Sequence, residues 1–208
     1  MKNLATKNVL TLVTTLVIAA FASFSNAQGN AAAGESKAAV CSACHGTAGQ
    51  STVGVNPKLA GQNARYLIKQ MQDIKGGARN VALMTGILNG SSDQDIADMA
   101  AYFAAQEVTL EGADPELIEL GESIYKAGIA SLNVAACSAC HSPTGQGNPQ
   151  AGFPALGGQH SAYTATQLKS FRSGERANDG NAMPMRMLSE RLTDKEIDAL
   201  ASYISGLN

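Results

Sequence analysis

The chain has 208 residues, of which 45% are hydrophobic and 15% charged, and its formal net charge is −2. Its lysines and arginines form no basic cluster, which argues against a nucleic-acid-binding face. With no tryptophan and an aromatic content of 5%, the chain offers little material for a relay of aromatic side chains.

The first 27 residues predict a secretory signal peptide. Lys2 and Lys7 precede an apolar run over residues 9–24, and the small residues at 25–27 suit cleavage after Ala27. The run is shorter than the roughly 20 residues that span a bilayer, so a retained membrane anchor is the less favoured alternative. Removing the two lysines would leave 13 lysines and arginines against 17 acidic residues, a formal charge of −4. We expect an exported protein, periplasmic in a Gram-negative cell.

The next predicted helix, over residues 31–44, leads into a Cys-x-x-Cys-His motif that recurs 96 residues later. The two copies use all four cysteines of the chain, as Cys41, Cys44 and His45 and as Cys137, Cys140 and His141. This pentapeptide is the attachment site of a c-type haem. In a helical turn the two thiols share one face and can bond to one edge of a porphyrin, while the histidine supplies the proximal ligand to the iron. The sequence therefore predicts two covalently bound haem c groups.

Three other uses of paired cysteines fit the chain less well. A thioredoxin-type redox couple belongs near a βαβ pattern, and no strand-rich segment is present. A structural zinc site needs four ligands, whereas each motif offers three and His160 is the one histidine outside them. Disulfide bonds would suit an exported protein, but joining the cysteines within one motif would distort the helical turn.

Apolar residues at three- and four-residue spacing predict an all-α fold. In chain order the predicted helices cover residues 31–44, 63–74, 93–105, 115–127, 162–171 and 194–205. Capping boxes at 92–95 and 193–196 mark the start of the third and the sixth helix.

The two halves of the chain are related by duplication. Residues 34–36 (GES) match 121–123 (GES), residues 57–62 (PKLAGQ) match 154–159 (PALGGQ), and residues 95–102 match 196–203. We therefore expect an N-terminal domain over 28–107, a linker over 108–114 and a C-terminal domain over 115–208. Domains this small are only marginally stabilised by burial of their own side chains, so a covalently held haem would supply the missing apolar core.

Glycines early in the first helix of each half predict close helix contacts, because a helical glycine is destabilising unless something must approach it closely. We expect the last helix of each half to cross the first at Gly34 and at Gly121, with Tyr102 and Tyr203 at the contacts.

The sixth ligand of each iron is predicted from the repeat. Met84 lies eight residues before Ser92, and Met185 lies eight residues before Thr193, so both occupy the same place ahead of the last helix. Met183 and Met187 flank the second candidate and stay open as alternatives. His160 has Asn63 as its counterpart in the first half, which makes it a loop histidine rather than a ligand.

Pro57 and Pro154 follow the two motifs at similar distances. A ligating histidine usually donates its free ring N–H to a carbonyl, which fixes the orientation of the ring. We expect the carbonyl groups of these two prolines to accept those bonds.

Taken together, these segments resemble the cytochrome c4 family of dihaem periplasmic cytochromes over nearly the whole mature chain. The resemblance rests on the segments 57–62, 66–71, 84–86, 92–95, 101–103 and 157–160. It implies two tandem class-I cytochrome c domains, each wrapped around one haem, with the haems near each other. It also implies axial pairs at His45 and Met84 and at His141 and Met185. The segment 183–187 is richer in methionine than the family pattern requires.

A pair of His/Met haems has no open coordination position, which predicts a soluble electron carrier rather than an enzyme. The resemblance implies a membrane quinol-oxidising complex as donor and a terminal oxidase or reductase as acceptor, with peripheral membrane contact left open. We expect no small-molecule substrate. The alternatives are a dihaem peroxidase-type enzyme, which would need one open iron, and an electron-accepting subunit of a larger oxidoreductase.

Overall fold

The computed structural model describes residues 29–208. The predicted signal peptide and its cleavage site lie outside the described residues. No helix in the described part of the chain has both the length and the apolar character needed to cross a membrane.

Each half of the described chain is an all-helical unit, as the periodicity predicts. The first contains helices α1 (Ala31–Lys37), α2 (Ser42–His45), α3 (Ala64–Lys75) and α4 (Asp93–Ala104). The second contains α5 (Ile118–Ala127), α6 (Ser138–His141), α7 (Ser161–Ser173), α8 (Pro184–Ser189) and α9 (Asp194–Gly206). A 3-10 turn, Ala38–Cys41, joins α1 to α2, and further 3-10 turns cover Thr47–Gly49, Ala82–Met84 and Ala130–Leu132.

Three helix predictions need correction. The helix expected over 31–44 divides into α1, the 3-10 turn Ala38–Cys41 and α2. The helix expected over 115–127 begins at Ile118, because the Asp114 carbonyl accepts the backbone N–H of Leu117 and its carboxylate accepts that of Glu116, which forms a turn first. The segment around Met185, which lies outside the predicted helices, contains the short helix α8, with Pro184 at its first turn where a missing N–H is harmless.

Capping boxes begin the last helix of each domain, as predicted. The Ser92 hydroxyl accepts the backbone N–H of Asp95, whose carboxylate accepts the Ser92 N–H in return. Thr193 and Glu196 make the same reciprocal pair at the start of α9. Each box satisfies two backbone donors that a helix N-terminus otherwise leaves unpaired.

The first and last helices of each domain cross at a glycine. A Cβ atom on Gly34 would lie 2.0 Å from the carbonyl oxygen of Asp98 in α4, and one on Gly121 would lie 2.3 Å from that of Ala199 in α9. Tyr203 is at the second crossing, as expected, whereas the atoms nearest Gly34 belong to Asp98 and Met99 rather than to Tyr102.

Each domain has its own apolar cluster. In the first domain Ile96 and Phe103 of α4 pack with Leu67 of α3, and in the second Ile197 and Leu200 of α9 form the corresponding centre. The two clusters are separate, which is the packing expected of duplicated domains.

The domains meet through a pair of reciprocal glutamine contacts. The Gln62 side chain donates to the carbonyl oxygen of Ala155 and accepts the N–H of the same residue, both at 2.8 Å. Gln159 makes the same two bonds with Lys58, both at 2.9 Å. Because the four residues occupy matching places in the repeat, the interface has approximate twofold symmetry.

The predicted linker packs along this interface. Its Thr109 N–H donates to Gln50 of the first domain, and its Glu111 N–H donates to the Ser205 carbonyl of the second. The Glu111 carboxylate also lies 3.3 Å from the Lys58 ammonium. The segment is thus held against both domains.

Candidate functional site

The two Cys-x-x-Cys-His motifs fold as helical turns. Cys41 and Cys137 have helical backbone angles and immediately precede α2 and α6, so the two cysteines of each motif lie about one turn apart. Burial raises the pKa of Cys41, and raises that of Cys137 to about 11. A dithiol redox couple needs a depressed thiol pKa, so this environment does not favour that alternative.

The histidine of each motif is buried and oriented by one carbonyl group. His45 Nδ1 lies 2.8 Å from the Pro57 oxygen, and His141 Nδ1 lies 3.0 Å from the Pro154 oxygen. Since a carbonyl can only accept, each Nδ1 carries a proton and each Nε2 is left with its lone pair. Burial lowers the pKa of both histidines more than these bonds raise it. Neutral imidazoles of this kind are suited to bind a metal ion.

A single large cavity of about 1130 Å³ joins the two motifs. Its wall includes all four cysteines and the histidines of both motifs, together with residues from α3 and α4 of the first domain and from α7, α8 and α9 of the second. Apolar side chains from the two cores, among them Leu67, Phe103, Leu200 and Ile204, complete its lining. The cavity is therefore a largely apolar space that reaches a Cys-x-x-Cys-His motif at two places.

The predicted methionine ligands both face this cavity. Met84 ends a 3-10 turn and Met185 lies in α8, and both are half-buried in the cavity wall. Met183 and Met187, which sequence alone leaves open, are 41% and 53% exposed and are not part of that wall. Its burial and its place in the cavity wall therefore favour Met185 as the ligand among the three methionines.

His160 lies away from the cavity wall, at the domain interface just before α7. It is 4% exposed, with Nε2 2.9 Å from the Ser51 carbonyl oxygen and Nδ1 2.6 Å from a Glu111 carboxylate oxygen. Both ring nitrogens are engaged in holding the linker and the two domains together.

Two arginines in matching places of the repeat extend across the interface into the cavity. Arg79 donates to the Tyr163 hydroxyl and to Gln167 of the opposite domain, and Arg176 donates to the Tyr66 hydroxyl and to Gln70. All the hydrogen-bond acceptors of both guanidinium groups within the described residues are neutral.

The electrostatic effect of the two arginines is visible at Tyr66. Burial raises the pKa of this phenol, but the charges of Arg176 and Arg79 outweigh it, and the net shift is downward. Buried cations without an anionic partner are costly, so this side of the cavity is suited to bind carboxylate groups.

Comparison with known proteins agrees with this geometry. The family model for cytochrome c matches residues 31–106 and 118–208. Cytochrome c4 of Azotobacter vinelandii is 50% identical over 206 residues, which cover 95% of this chain and 98% of that protein. The chain belongs to the cytochrome c4 family. The crystal structure of reduced recombinant cytochrome c4 from Pseudomonas stutzeri superposes with a TM-score of 0.85 at 51% identity, covering 86% of this chain and all of that one. A more distant relative, 33% identical over 82% of this chain and 80% of its own length, is the thiosulfate dehydrogenase electron acceptor of Stutzerimonas stutzeri.

Membership of the cytochrome c4 family confirms the predicted fold of two tandem cytochrome c domains and the predicted cofactors, two haem c groups. Features of this chain fit such groups. The cavity is apolar, cysteine pairs and neutral histidines face it, and the arginines offer a site for the haem carboxylates. The Ser189 hydroxyl, fully buried in the cavity wall and without a hydrogen-bond partner in the described residues, is a further polar group that a bound molecule could satisfy.

The contacts across the domain interface were not predicted from the sequence. The pairs Gln62 with Gln159 and Arg79 with Arg176 recur at matching positions of the two halves. This recurrence is a signal in the sequence that these four residues share a role in the two halves. It does not show that the members of each pair reach into opposite domains, which depends on how the domains pack.

Proposed function

We propose that this protein is an exported, soluble electron carrier in which His45 and Met84 ligate one haem iron and His141 and Met185 ligate the other. The observation that carries the proposal is that both methionines occupy the same place in the repeat and face the cavity that contains the histidines. Buried methionine is ordinarily core filler, but the doubled placement supports a ligand role.

Bound haem iron supplies one-electron transfer between the ferric and ferrous states. The thioether sulfurs of Met84 and Met185 are soft, neutral ligands that favour the ferrous state and raise the reduction potential. If a histidine and a methionine both ligate each iron, neither site would keep a coordination position for peroxide or oxygen. This argues against a dihaem peroxidase-type activity.

We assign the haem carboxylates to the two interface arginines. Arg79 and Arg176 are charged and have only neutral acceptors among the described residues. A carboxylate would neutralise each guanidinium by charge-assisted hydrogen bonds. Because each arginine also contacts the opposite domain, binding at the cavity and packing of the domains would stabilise each other.

For partners, we propose a membrane quinol-oxidising complex as donor and a terminal oxidase or reductase as acceptor, in the periplasm. The support is the predicted signal peptide together with the family. The similarity to a thiosulfate dehydrogenase electron acceptor favours one second candidate, an electron-accepting partner or subunit of a dehydrogenase. Purification of the native protein alone or in a stable complex separates the two.

The deciding experiment is an optical spectrum of the oxidised and reduced holoprotein, with the ratio of haem to protein. We expect two haems per chain, the weak near-infrared band of sulfur-ligated ferric haem, and no reaction of the reduced protein with carbon monoxide. Absence of the band from one haem, or carbon monoxide binding, would reveal an open iron and displace electron carriage as the principal function.

A further inference from the structure

We propose that Gln62 and Gln159 are positioning residues, each of which orients and polarises the proximal histidine of the opposite domain through a single peptide group. The inference deepens the proposed function and rests on its histidine ligation. It concerns how the protein sets the two haem potentials.

The first chain of bonds starts at Gln159. Its side-chain oxygen accepts the Lys58 N–H at 2.9 Å. That N–H and the carbonyl of Pro57 belong to the same peptide group, and the Pro57 oxygen lies 2.8 Å from His45 Nδ1. A glutamine of the second domain is thus two hydrogen bonds away from the histidine of the first.

The second series of hydrogen bonds is the symmetric counterpart of the first and starts at Gln62. The Gln62 side-chain oxygen accepts the Ala155 N–H at 2.8 Å, and the Pro154 carbonyl of the same peptide group lies 3.0 Å from His141 Nδ1. Both glutamines are 8% exposed, and each also donates to the carbonyl of the residue whose N–H it accepts. Each side-chain oxygen also accepts the N–H of the residue that follows it, Asn63 or His160, so three bonds fix the orientation of each glutamine.

Hydrogen bonds in series polarise one another, and the effect is strongest where water is excluded. A glutamine oxygen that accepts a peptide N–H increases the negative charge on the carbonyl oxygen of that peptide group. The carbonyl then accepts more strongly from histidine Nδ1, which makes the imidazole a better electron donor to its metal. A more strongly donating histidine stabilises the ferric state, so each glutamine lowers the potential of the haem in the other domain.

This arrangement predicts a crossed effect. Gln159→Ala should raise the potential of the first-domain haem, and Gln62→Ala that of the second-domain haem. At a fixed ambient potential we expect the ratio of reduced to oxidised protein at the affected haem to rise on the order of two- to fivefold.

The measurement is a redox titration of the holoprotein followed by NMR. The hyperfine-shifted haem methyl signals are assigned to each domain by their nuclear Overhauser contacts to Phe103 or Phe153, both of which line the cavity. The histidine ring signals of the ferric protein report the strength of the Nδ1 hydrogen bond independently of the potential. They should shift in the opposite domain only.

Gln159→Glu is a second variant that tests the sign. A carboxylate keeps the acceptor for the Lys58 N–H, loses the donor to the Lys58 carbonyl oxygen and adds negative charge, so the first-domain potential should fall where Gln159→Ala makes it rise. The matched control is Asn63→Ala, which removes a 2.8 Å hydrogen bond from Asn63 to the Phe153 carbonyl across the same interface. It keeps both series of hydrogen bonds that run from a glutamine to a histidine. It should leave the difference between the two potentials unchanged.

Three outcomes would overturn the proposal: no shift, a shift of both haems together, or a shift of the haem in the domain that carries the substitution. In each case the glutamines would serve domain packing alone. Failure of the proposed function is seen separately, because it appears in the carbon monoxide reaction and near-infrared band of the wild-type protein before any glutamine is changed.

Discussion

Arg176 donates a 2.9 Å hydrogen bond to the hydroxyl of Tyr66 in the opposite domain, and Arg79 makes the symmetric bond to Tyr163. The same guanidinium groups line the cavity that contains the cysteine and histidine pairs. Domain packing and the cavity wall therefore share two side chains. This relationship makes the domain interface part of the functional site.

Replacing Arg176 should weaken the packing of the two domains and change the reduction potential of a haem. Arg176→Met leaves the Tyr66 hydroxyl without its donor and removes one donor each from Gln70 and Gln167, which both keep Arg79. We therefore expect the free energy of unfolding of the holoprotein to fall by ~1–3 kcal/mol. Loss of a positive charge beside the cavity should also lower the potential of the nearer haem, because a cation favours the less positive ferrous iron. Denaturant titration and spectroelectrochemistry measure the two effects.

The control is Lys169→Met, which removes an exposed ion pair with Asp198. We expect it to change the unfolding free energy by less than ~1 kcal/mol. Equal effects of the two substitutions would show that the interface arginine contributes no more than a surface charge.

Methionine substitutions test the second axial ligand. Met185→Leu should open one iron, so the near-infrared band loses the contribution of one haem and the reduced protein binds one carbon monoxide per chain. Met187→Leu is matched in chemistry but replaces a residue that is 53% exposed and outside the cavity wall. It should leave both signals unchanged, and the reverse pattern would make Met187 the ligand.

The helix crossing at Gly34 should tolerate no larger residue. Gly34→Ala places a Cβ atom 2.0 Å from the Asp98 carbonyl oxygen, so α1 and α4 must separate. We expect a loss of ~3 kcal/mol in unfolding free energy, at the upper end of the usual effect of overpacking.

Gly90→Ala is the control for Gly34→Ala, because a Cβ atom on Gly90 meets nothing within 4 Å. We expect a change within ~0.5 kcal/mol. Thermal unfolding of the holoprotein followed by circular dichroism measures both variants, and similar melting temperatures would contradict a close crossing.

Acid should weaken the first domain through Asp98. The Asn30 N–H, followed by the Lys37 ammonium and the Gln94 amide, lowers the pKa of this carboxyl from 3.8 to about 2. A carboxyl whose folded pKa is depressed stabilises the protein above its unfolded pKa and loses that contribution as the pH falls through the folded pKa. We therefore expect stability to drop between pH values of about 4 and about 2.

Asp98→Asn should be less stable than the wild type at neutral pH, with a gap that narrows over that acidic window. Melting temperatures at a series of pH values measure the gap. A gap that stays constant down to pH ~2 would assign the loss to packing rather than to charge. The second domain has Ala199 at the matching place, so it lacks this source of acid sensitivity.

Local chemistry made the haem motifs, the capping boxes and most helix limits predictable from the sequence. Ser92 and Thr193 begin their helices because a side chain three residues later completes the cap, which requires only neighbouring residues. The start at Ile118 and the helix around Met185 were missed, because a turn at Asp114 and the packing against the cavity decide them. The choice of Met185 over Met183 and Met187 could not be made locally either, because all three are close together in sequence and differ in burial.

The sequence by itself determined that the chain is duplicated, that each half is helical, and that each half carries a Cys-x-x-Cys-His motif. These properties depend on spacing within a few turns of chain. Tertiary structure alone decided that Gln62, Gln159, Arg79 and Arg176 reach across to the opposite domain, and that Glu111 and His160 hold the linker. The physical reason is that an interface brings together groups about a hundred residues apart. Their hydrogen bonds depend on the relative placement of the two domains, which the spacing of residues along the chain does not show.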